Sequence, residues 1–417
     1  MPERYDVTGT PSASADASRT AVWTRRTALV ALILAALNLR PAVTSIGPVL
    51  EEIRDGLGMS ATVAGLLTSM PAVCFALVGF AAPRLARRFG HEAVVACGAL
   101  AIAAGLAVRP LAADSAQFVA LSALALAGIA VVNVLLPVVV KQRFPDRVGT
   151  MTGLYSMVLN AGASTAAAVT VPLAREFGAD WRVGLGAWAL LAASAVPPWL
   201  LLAHKSASAN AKRDSEADPK PDAEAPARIR PVRSPTAWAL AVYFGLQATA
   251  AYVVIGWLPQ IFRDAGLSAD TAGLLFAVTS VLGIPLSFAL TALAGRLRHQ
   301  SGIAVTIGLF GLAGYAGLWA APDAAPWVWA CLLGVGNCSF PLALTMIGLR
   351  GRDSAAVARL SGFAQSTGYL LSVPGPVLVG VLYDHSGGWR WPLVFLAVLM
   401  VPQLVAGHFA GRDRRID

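Results

Sequence analysis

Charged side chains are scarce in this chain of 417 residues: Asp, Glu, Lys and Arg make up 13% of the sequence, and hydrophobic residues make up 56%. Soluble domains carry about 25% charged residues, so the composition excludes an ordinary soluble protein. Cysteine is also rare: the chain has four, which lie in apolar stretches and do not have the spacing of a disulfide framework or a zinc site. They are Cys74, Cys97, Cys331 and Cys338. We therefore expect no metal and no cofactor.

Apolar stretches of about 20 residues recur along the chain, and each is long enough for a helix to cross a hydrocarbon core about 30 Å thick. Because backbone groups in lipid must be satisfied within their own segment, we expect helices; the alternating pattern of barrel strands is absent. The sequence predicts an all-α polytopic membrane protein with twelve spans. These are residues 27–50, 61–82, 92–112, 116–140, 149–172, 181–202, 236–259, 270–293, 302–320, 325–348, 357–382 and 391–410.

Basic residues are distributed unequally between the two sides of the predicted membrane. With the N-terminus placed in the cytoplasm, 25 of the 32 Lys and Arg residues lie in the tails and the even-numbered loops, and 6 lie in the opposite loops. Cytoplasmic loops are typically enriched in these residues. We therefore expect an inner-membrane protein with both termini in the cytoplasm. This distribution accounts for the net charge of +9, and we expect no nucleic-acid partner.

A polar segment divides the spans into two sets of six. Residues 205–228 contain no large apolar residue and are rich in Lys, Asp, Glu, Ser, Ala and Pro, a composition typical of a flexible linker. The predicted organisation has five parts: a disordered cytoplasmic tail (1–24), a six-helix bundle (25–203), a cytoplasmic linker (204–235), a second six-helix bundle (236–411) and a second cytoplasmic tail (412–417).

The two halves carry an internal repeat. Residues 58–67 recur as residues 266–275, and Asn133 with Pro137 in the fourth span corresponds to Asn337 with Pro341 in the tenth. Because six is an even number, the second copy enters the membrane in the same orientation as the first, which predicts two parallel six-helix pseudo-repeats. Such halves enclose a central cavity and can rock about it, so that one site faces each side in turn.

A ten-residue motif lies between the second and third predicted spans. Residues 79–88 read GFAAPRLARR and resemble the Gly-x-Leu-Ala-Asp-Arg-x-Gly-Arg-Arg loop motif of the major facilitator superfamily. Pro83 replaces the acidic residue of that motif, and Ala86 replaces its second glycine. The resemblance implies the twelve-helix fold of that family, a monomer, and a conformational role for four of the residues that match. These are Gly79, Arg84, Arg87 and Arg88.

Two further segments are similar to one branch of the superfamily, that of the cyanate permease and the 2-nitroimidazole transporter. The first is residues 38–48, NLRPAVTSIGP, in the first span. The second is residues 243–247, YFGLQ, followed by residues 256–259, GWLP, in the seventh span. The resemblance implies a small-molecule substrate carried across the bilayer, and it leaves the substrate and the direction of transport open.

Arg40 is the one charged side chain deep inside an apolar stretch, residues 27–50. Such a charge costs about 2.5–3.5 kcal/mol on insertion scales, and arginine snorkels to water only near helix ends. A guanidinium offers a planar fork of donors that suits a carboxylate or a nitrate-like or cyanate-like anion. We therefore expect Arg40 to contact an anionic substrate. The alternative is a structural arginine bonded to carbonyls freed by Pro41, or to Asn38.

Polar side chains inside the spans are further candidates for substrate contact, although each is at least as well explained as an interhelical hydrogen-bonding group. By analogy with the superfamily, the first, fourth, seventh and tenth helices face the cavity. Candidates on those helices are Asn38, Asn133, Gln247, Tyr252 and Asn337. Candidates on other helices are Tyr155, Asn160, Gln365 and Tyr369.

Acidic residues are absent from the interior of every predicted span. Proton-coupled carriers commonly use an intramembrane carboxylate as a relay, so the pattern favours facilitated uptake, exchange, or coupling in which the anion brings the proton. The sequence shows no pairing of a nucleophile with a base, and it has no phosphate-binding loop. We therefore expect no enzymatic activity. The leading interpretation is a transporter of a small anionic or polar solute. The alternatives are an exporter of a drug-like or nitroaromatic compound and, less well supported, a transporter-like sensor.

Overall fold

The computed structural model describes residues 12–178, 180–214, 231–352 and 354–414, and helices dominate these ranges. Their bounds are α1 (Ser12–Asn38), α2 (Pro41–Thr44), α3 (Leu50–Leu57), α4 (Ala61–Phe89), α5 (His91–Val108), α6 (Ser115–Arg143), α7 (Val148–Glu176), α8 (Trp181–Asp214), α9 (Pro235–Asp264), α10 (Ala269–Arg296), α11 (Ser301–Ala320), α12 (Pro326–Gly336), α13 (Ser339–Arg350), α14 (Ser354–Ser372), α15 (Pro374–Ser386) and α16 (Arg390–Ala410).

Twelve helical segments are long and apolar enough to cross a membrane, which confirms the predicted number of spans. Most are single helices, but the first, tenth and eleventh spans are each divided. The first combines α1, the single turn α2, a 3-10 turn and α3, whereas the tenth combines α12 with α13 and the eleventh α14 with α15. The eleventh divides at Val373, beside the Pro374-Gly375-Pro376 sequence, because proline cannot donate a backbone hydrogen bond and its ring displaces the preceding turn.

The break in the first span follows from the same chemistry. Pro41 has no N–H, so α1 ends at Asn38, and a new helical turn begins with Pro41 at its first position. The corresponding prolines of the internal repeat behave differently from each other. Helix α6 continues through Pro137, whereas the tenth span is interrupted between Gly336 and Ser339, just before Pro341. The repeated sequence therefore does not produce the same local structure in both halves.

The two halves pack against each other through α4 with α14 and α15, and through α7 with α10. Small residues permit the close approach. A Cβ atom added to Gly273 on α10 would lie 2.7 Å from the carbonyl oxygen of Ala167 on α7, and one added to Gly47 would lie 2.6 Å from that of Ile255 on α9. Only glycine fits such contacts, so these positions fix the distance between the halves.

Several helices extend beyond the predicted boundaries. Residues 12–24, expected to be disordered, belong to α1, and residues 204–214, expected to be linker, belong to α8. Once a span has nucleated a helix, each added residue gains a hydrogen bond at little cost, and the Ala, Lys and Arg residues here favour the helix. The remainder of the predicted tails and linker, residues 1–11, 215–230 and 415–417, lies outside the described residues.

The motif at residues 79–88 was expected in a loop, but it lies on α4, which runs to Phe89. The connection to α5 is the single residue Gly90, whose φ of 87° is readily adopted only by glycine. Arg84, Arg87 and Arg88 are exposed at this end of α4. These three residues are therefore held on a helix rather than on a loop.

Candidate functional site

Arg40 lies at the break in the first span, between α1 and α2, and its side chain is half-buried. Its carbonyl oxygen accepts hydrogen bonds from the backbone N–H groups of Val43 (2.9 Å) and Thr44 (3.0 Å) and from Thr44 Oγ1 (3.1 Å). These bonds fix the backbone of Arg40. Within the part of the chain that the structure describes, the guanidinium itself has no hydrogen bond or ion pair, so its five donors are available to a ligand.

Two tyrosines from the C-terminal half lie near this guanidinium. Tyr252 on α9 and Tyr369 on α14 both lie close enough to interact with its charge. Tyr369 stacks on Phe75 of α4, with ring centroids 5.0 Å apart and an angle of 14° between the rings, and it meets Phe244 of α9 edge-on at 5.0 Å. The predicted candidates Arg40, Tyr252 and Tyr369 are thus brought together, and the site is built from both halves.

Asn38 is buried and is engaged by the backbone. Its Nδ2 donates to the carbonyl oxygens of Leu34 (2.8 Å) and Leu191 (3.1 Å), and the second bond joins α1 to α8. The amide therefore attaches the end of α1 to α8. Its Oδ1 is buried without a partner among the described residues.

Four other candidates lie apart from this cluster or are occupied within their own helices. Asn160 Nδ2 donates to the carbonyl oxygen of Ser156 (3.0 Å), and Gln365 Nε2 donates to Ser361 Oγ (2.6 Å). Tyr155 packs against the core of the N-terminal half. Asn133 is half-buried on α6, and its side chain has no contact within the described ranges that identifies a role.

Gln247 and Asn337 face a different space, a narrow cavity inside the C-terminal half between α9, α11, α12 and α16. Tyr315 and Gln403 line the same cavity, and neither was among the candidate site residues predicted from the sequence. The Oε1 atoms of Gln247 and Gln403 are buried without a partner among the described residues. The signal for the two missed residues was present, since both are polar side chains within predicted apolar spans.

A second buried cation, Arg109, was also missed. It lies near the end of the third predicted span, residues 92–112, and only 1% of it is exposed. Its guanidinium donates to the carbonyl oxygen of Ala42 (2.7 Å) and to Ser45 Oγ (3.2 Å), both in the first span just beyond Arg40. No sequence pattern gives this contact, because the partners are more than 60 residues apart.

Polar contacts join the two halves at the end where the first span finishes, which we call the sealed end (residues 48–62, 263–270 and 383–390). Arg263 forms ion pairs with Glu51 (2.8 Å) and Glu52 (2.8 Å). Asp384 accepts hydrogen bonds from the N–H groups of Ala61 (3.0 Å) and Thr62 (2.8 Å) at the start of α4. Because acids stabilise helix N-termini, this carboxylate attaches the eleventh span to α4.

The sequence matches the family model of the Major Facilitator Superfamily over residues 29–373. The chain is 36% identical over 392 residues to the uncharacterized transporter YycB of Bacillus subtilis, covering 93% of this chain and 94% of that protein. It is 34% identical over 393 residues to the 2-nitroimidazole transporter of Escherichia coli (93% and 96% covered) and 31% identical over 384 residues to the cyanate transport protein CynX of the same organism (90% and 95% covered).

The fold is similar to that of solved transporters. The crystal structure of the D-xylose-proton symporter superposes with a TM-score of 0.70 over 94% of this chain and 98% of that one, at 13% sequence identity. The relatives in these comparisons are transporters rather than enzymes, and the predicted resemblance to the cyanate and 2-nitroimidazole branch is confirmed. The chain is a multi-pass membrane protein that belongs to the major facilitator superfamily of transporters.

Proposed function

We propose that this chain carries a small anion across the membrane and that Arg40 is its charge contact. The observation that carries the proposal is the half-buried guanidinium of Arg40, which has neither a hydrogen bond nor an ion pair in the described chain. A charge in the middle of a span costs about 2.5–3.5 kcal/mol. An anionic substrate supplies the interaction that compensates this cost.

The alternative role for Arg40, a structural bond to carbonyls freed by the proline, is less well supported. Asn38 donates to the carbonyl oxygens of Leu34 and Leu191, and Arg109 donates to that of Ala42. The guanidinium of Arg40 makes no hydrogen bond to any carbonyl group of the described chain. Buried polar groups are usually paired, and Asn38 and Arg109 both have partners. The unpaired guanidinium of Arg40 therefore supports a role in binding a ligand.

The surroundings of Arg40 favour a small planar anion. A guanidinium forms two parallel hydrogen bonds with a carboxylate or another planar oxyanion, and Tyr369, whose ring stacks on Phe75, lies close enough to interact with its charge. Cyanate, nitrate and small carboxylates share this combination of negative charge and small size. Because the site draws residues from both halves, binding is coupled to their relative position.

The placement of the contacts supports a transport cycle in which the halves rock. Arg263 and Asp384 join the halves at the sealed end, and we infer that the half-exposed Arg40 is reached from the opposite end, where α1 begins and α16 ends. Rocking of the halves would break these contacts and open the sealed end instead. We place the protein in the inner membrane as a monomer with cytoplasmic termini, in agreement with the positive charge of the even-numbered loops.

A second candidate function is export of a nitroaromatic compound. It is favoured by the similarity to the 2-nitroimidazole transporter and by the aromatic ring of Tyr369, which lies close enough to Arg40 to interact with its charge. In that case the guanidinium would contact a nitro group rather than a full charge, and binding would not require an anion.

Thermal stability of the purified protein tests the proposal with cyanate, nitrate, acetate and 2-nitroimidazole as probes. A ligand at about 100 times its Kd stabilises the folded state by about 2.7 kcal/mol, which raises the melting temperature measurably. We expect stabilisation by at least one anion, its loss in Arg40→Ala, and partial retention in Arg40→Lys, which keeps the charge but not the fork. Arg147→Ala, which removes an exposed arginine, is the matched control. Anion stabilisation that survives Arg40→Ala would contradict the proposal.

A further inference from the structure

Arg109 is a fully buried cation whose donors are directed at the first span. Two of its nitrogens are used: Nη1 donates to the carbonyl oxygen of Ala42, and Nη2 to Ser45 Oγ. Its guanidinium also lies 6.0 Å from the ring centre of Phe118. No acidic residue of the described chain pairs with it. Arg109 therefore binds a piece of backbone and lies away from solvent.

The carbonyl of Ala42 needs this donor because the helical turn ends there. In a continuing α-helix, the N–H of Ile46 would bond to Ala42. Here it bonds instead to the carbonyl oxygen of Val43 (3.2 Å). A buried carbonyl without a donor is costly, and Arg109 supplies the missing hydrogen bond. The side chain from the third span thus completes the turn that Pro41 and the following break leave incomplete.

The turn that Arg109 completes is the turn that begins with Arg40. Residues 40–44 form one hydrogen-bonded unit through the carbonyl of Arg40, so a contact that fixes Ala42 also fixes the direction of the Arg40 backbone. On its other face this part of the first span touches the C-terminal half. Gly47 packs closely against Ile255, and Arg263 Nη1 donates to the carbonyl oxygen of Pro48 (3.2 Å).

We propose that Arg109 is a positioning residue for substrate binding: it holds residues 41–45 on the N-terminal half while the C-terminal half moves, so that Arg40 keeps its direction toward the substrate site. The inference rests on the proposed role of Arg40 as the anion contact. Without the hydrogen bonds from Arg109, residues 41–45 would still contact both halves of the protein. They could then move with the C-terminal half instead of staying with the N-terminal half. The fraction of molecules with Arg40 in its binding position then falls.

Nitrate titration of purified Arg109→Met, followed by thermal stability, is the first test. Apparent affinity falls in proportion to the fraction of binding-competent molecules, and we expect the apparent Kd for nitrate to rise about tenfold. Arg109→Lys, which retains one donor, should recover part of the affinity, and Ser45→Ala, which removes one hydrogen bond, should have a smaller effect. Hydrogen exchange of the peptide covering residues 41–49 should be faster in Arg109→Met.

The matched control is Arg350→Met. Arg350 is also fully buried and donates to the side chain of Gln300 and to the carbonyl oxygen of Ala410 (3.3 Å), but it lies in the C-terminal half away from Arg40. Its loss should lower the melting temperature without changing the apparent Kd. The inference is overturned if Arg109→Met binds nitrate as the wild type does, or if both variants weaken binding equally.

A second readout is independent of any anion. With Arg40→Cys introduced in a background lacking the native cysteines, the rate of modification by a methanethiosulfonate reagent reports the position of this side chain. We expect Arg109→Met to change that rate several-fold, and an unchanged rate would refute the inference. If the wild type binds no anion, the proposed function fails, and the modification rate still decides whether Arg109 positions residue 40.

Discussion

If the two halves rock as proposed, loss of the contact between Asp384 and the start of α4 should shift the balance between the two proposed conformations. Asp384 Oδ1 accepts from the N–H of Ala61 (3.0 Å), and Oδ2 accepts from the N–H (2.8 Å) and the hydroxyl (2.8 Å) of Thr62. All three bonds cross from one half to the other. In the proposed cycle they exist only while the sealed end is closed, so their loss should act on the conformational equilibrium rather than on the folding of either half.

Asp384→Asn is the most informative perturbation, because it preserves size but leaves one acceptor oxygen in place of two and removes the charge. A hydrogen bond to a charged group contributes about 1.5–3 kcal/mol, and an acid at a helix N-terminus about 0.3–1 kcal/mol. Asp384 is exposed to water, which weakens both effects. We therefore expect a loss of about 1–2 kcal/mol, which shifts the equilibrium toward opening of the sealed end by about 5–30-fold.

Distance measurements between spin labels at Asp55 and His385 provide the assay, since both residues are exposed at the sealed end and lie in different halves. The variant should show a larger population of long distances. Asp323→Asn is the matched control, because Asp323 is an exposed acid between α11 and α12 with no contact to the other half among the described residues. Identical distance distributions for Asp384→Asn and the wild type would refute this reasoning.

Three other predictions follow from specific contacts. Arg263→Gln removes ion pairs with Glu51 and Glu52 and should also lengthen the Asp55 to His385 distances. The effect should be smaller in high salt, because ions screen exposed charges. An effect that does not depend on salt would argue against a role of these ion pairs. Asn38→Ala removes the bond from α1 to α8 and should destabilise the fold by about 1–3 kcal/mol in detergent unfolding, whereas an unchanged melting temperature would show that the bond contributes little. Gln403→Leu replaces a buried amide whose Oε1 is unpaired among the described residues. The variant should be as stable as the wild type or more stable, because an apolar group of similar size avoids the cost of burying an unpaired polar atom. Clear destabilisation would indicate that a water molecule or another group satisfies the amide.

The fold could be predicted from the sequence because the apolar stretches and the internal repeat indicate the same architecture. Length and hydropathy of the apolar stretches predict the twelve spans, and the repeat at residues 58–67 and 266–275 predicts two equivalent halves. The depth of Arg40 in its span also followed from counting residues. Each of these features is local or periodic, so no knowledge of neighbouring helices was required.

The remaining features depend on contacts between distant residues. Arg109 resembles a loop residue until Ala42 is seen to lack a donor, and that lack depends on where the turn after Pro41 ends. Gln247 was grouped with Tyr252 because both lie on the seventh span, yet the two face different spaces. Which face of a helix meets the centre of the molecule is decided by packing, and an almost uniformly apolar span carries little periodic signal for it.

The role of Arg40 is tested most directly by counterflow of labelled cyanate, nitrate and small carboxylates in proteoliposomes containing the wild type, Arg40→Lys or Arg40→Ala. If Arg40 is the anion contact, the wild type exchanges at least one of these anions, Arg40→Lys exchanges it more slowly, and Arg40→Ala does not exchange it. Counterflow that persists in Arg40→Ala, or that is seen only with an uncharged compound, would contradict the account.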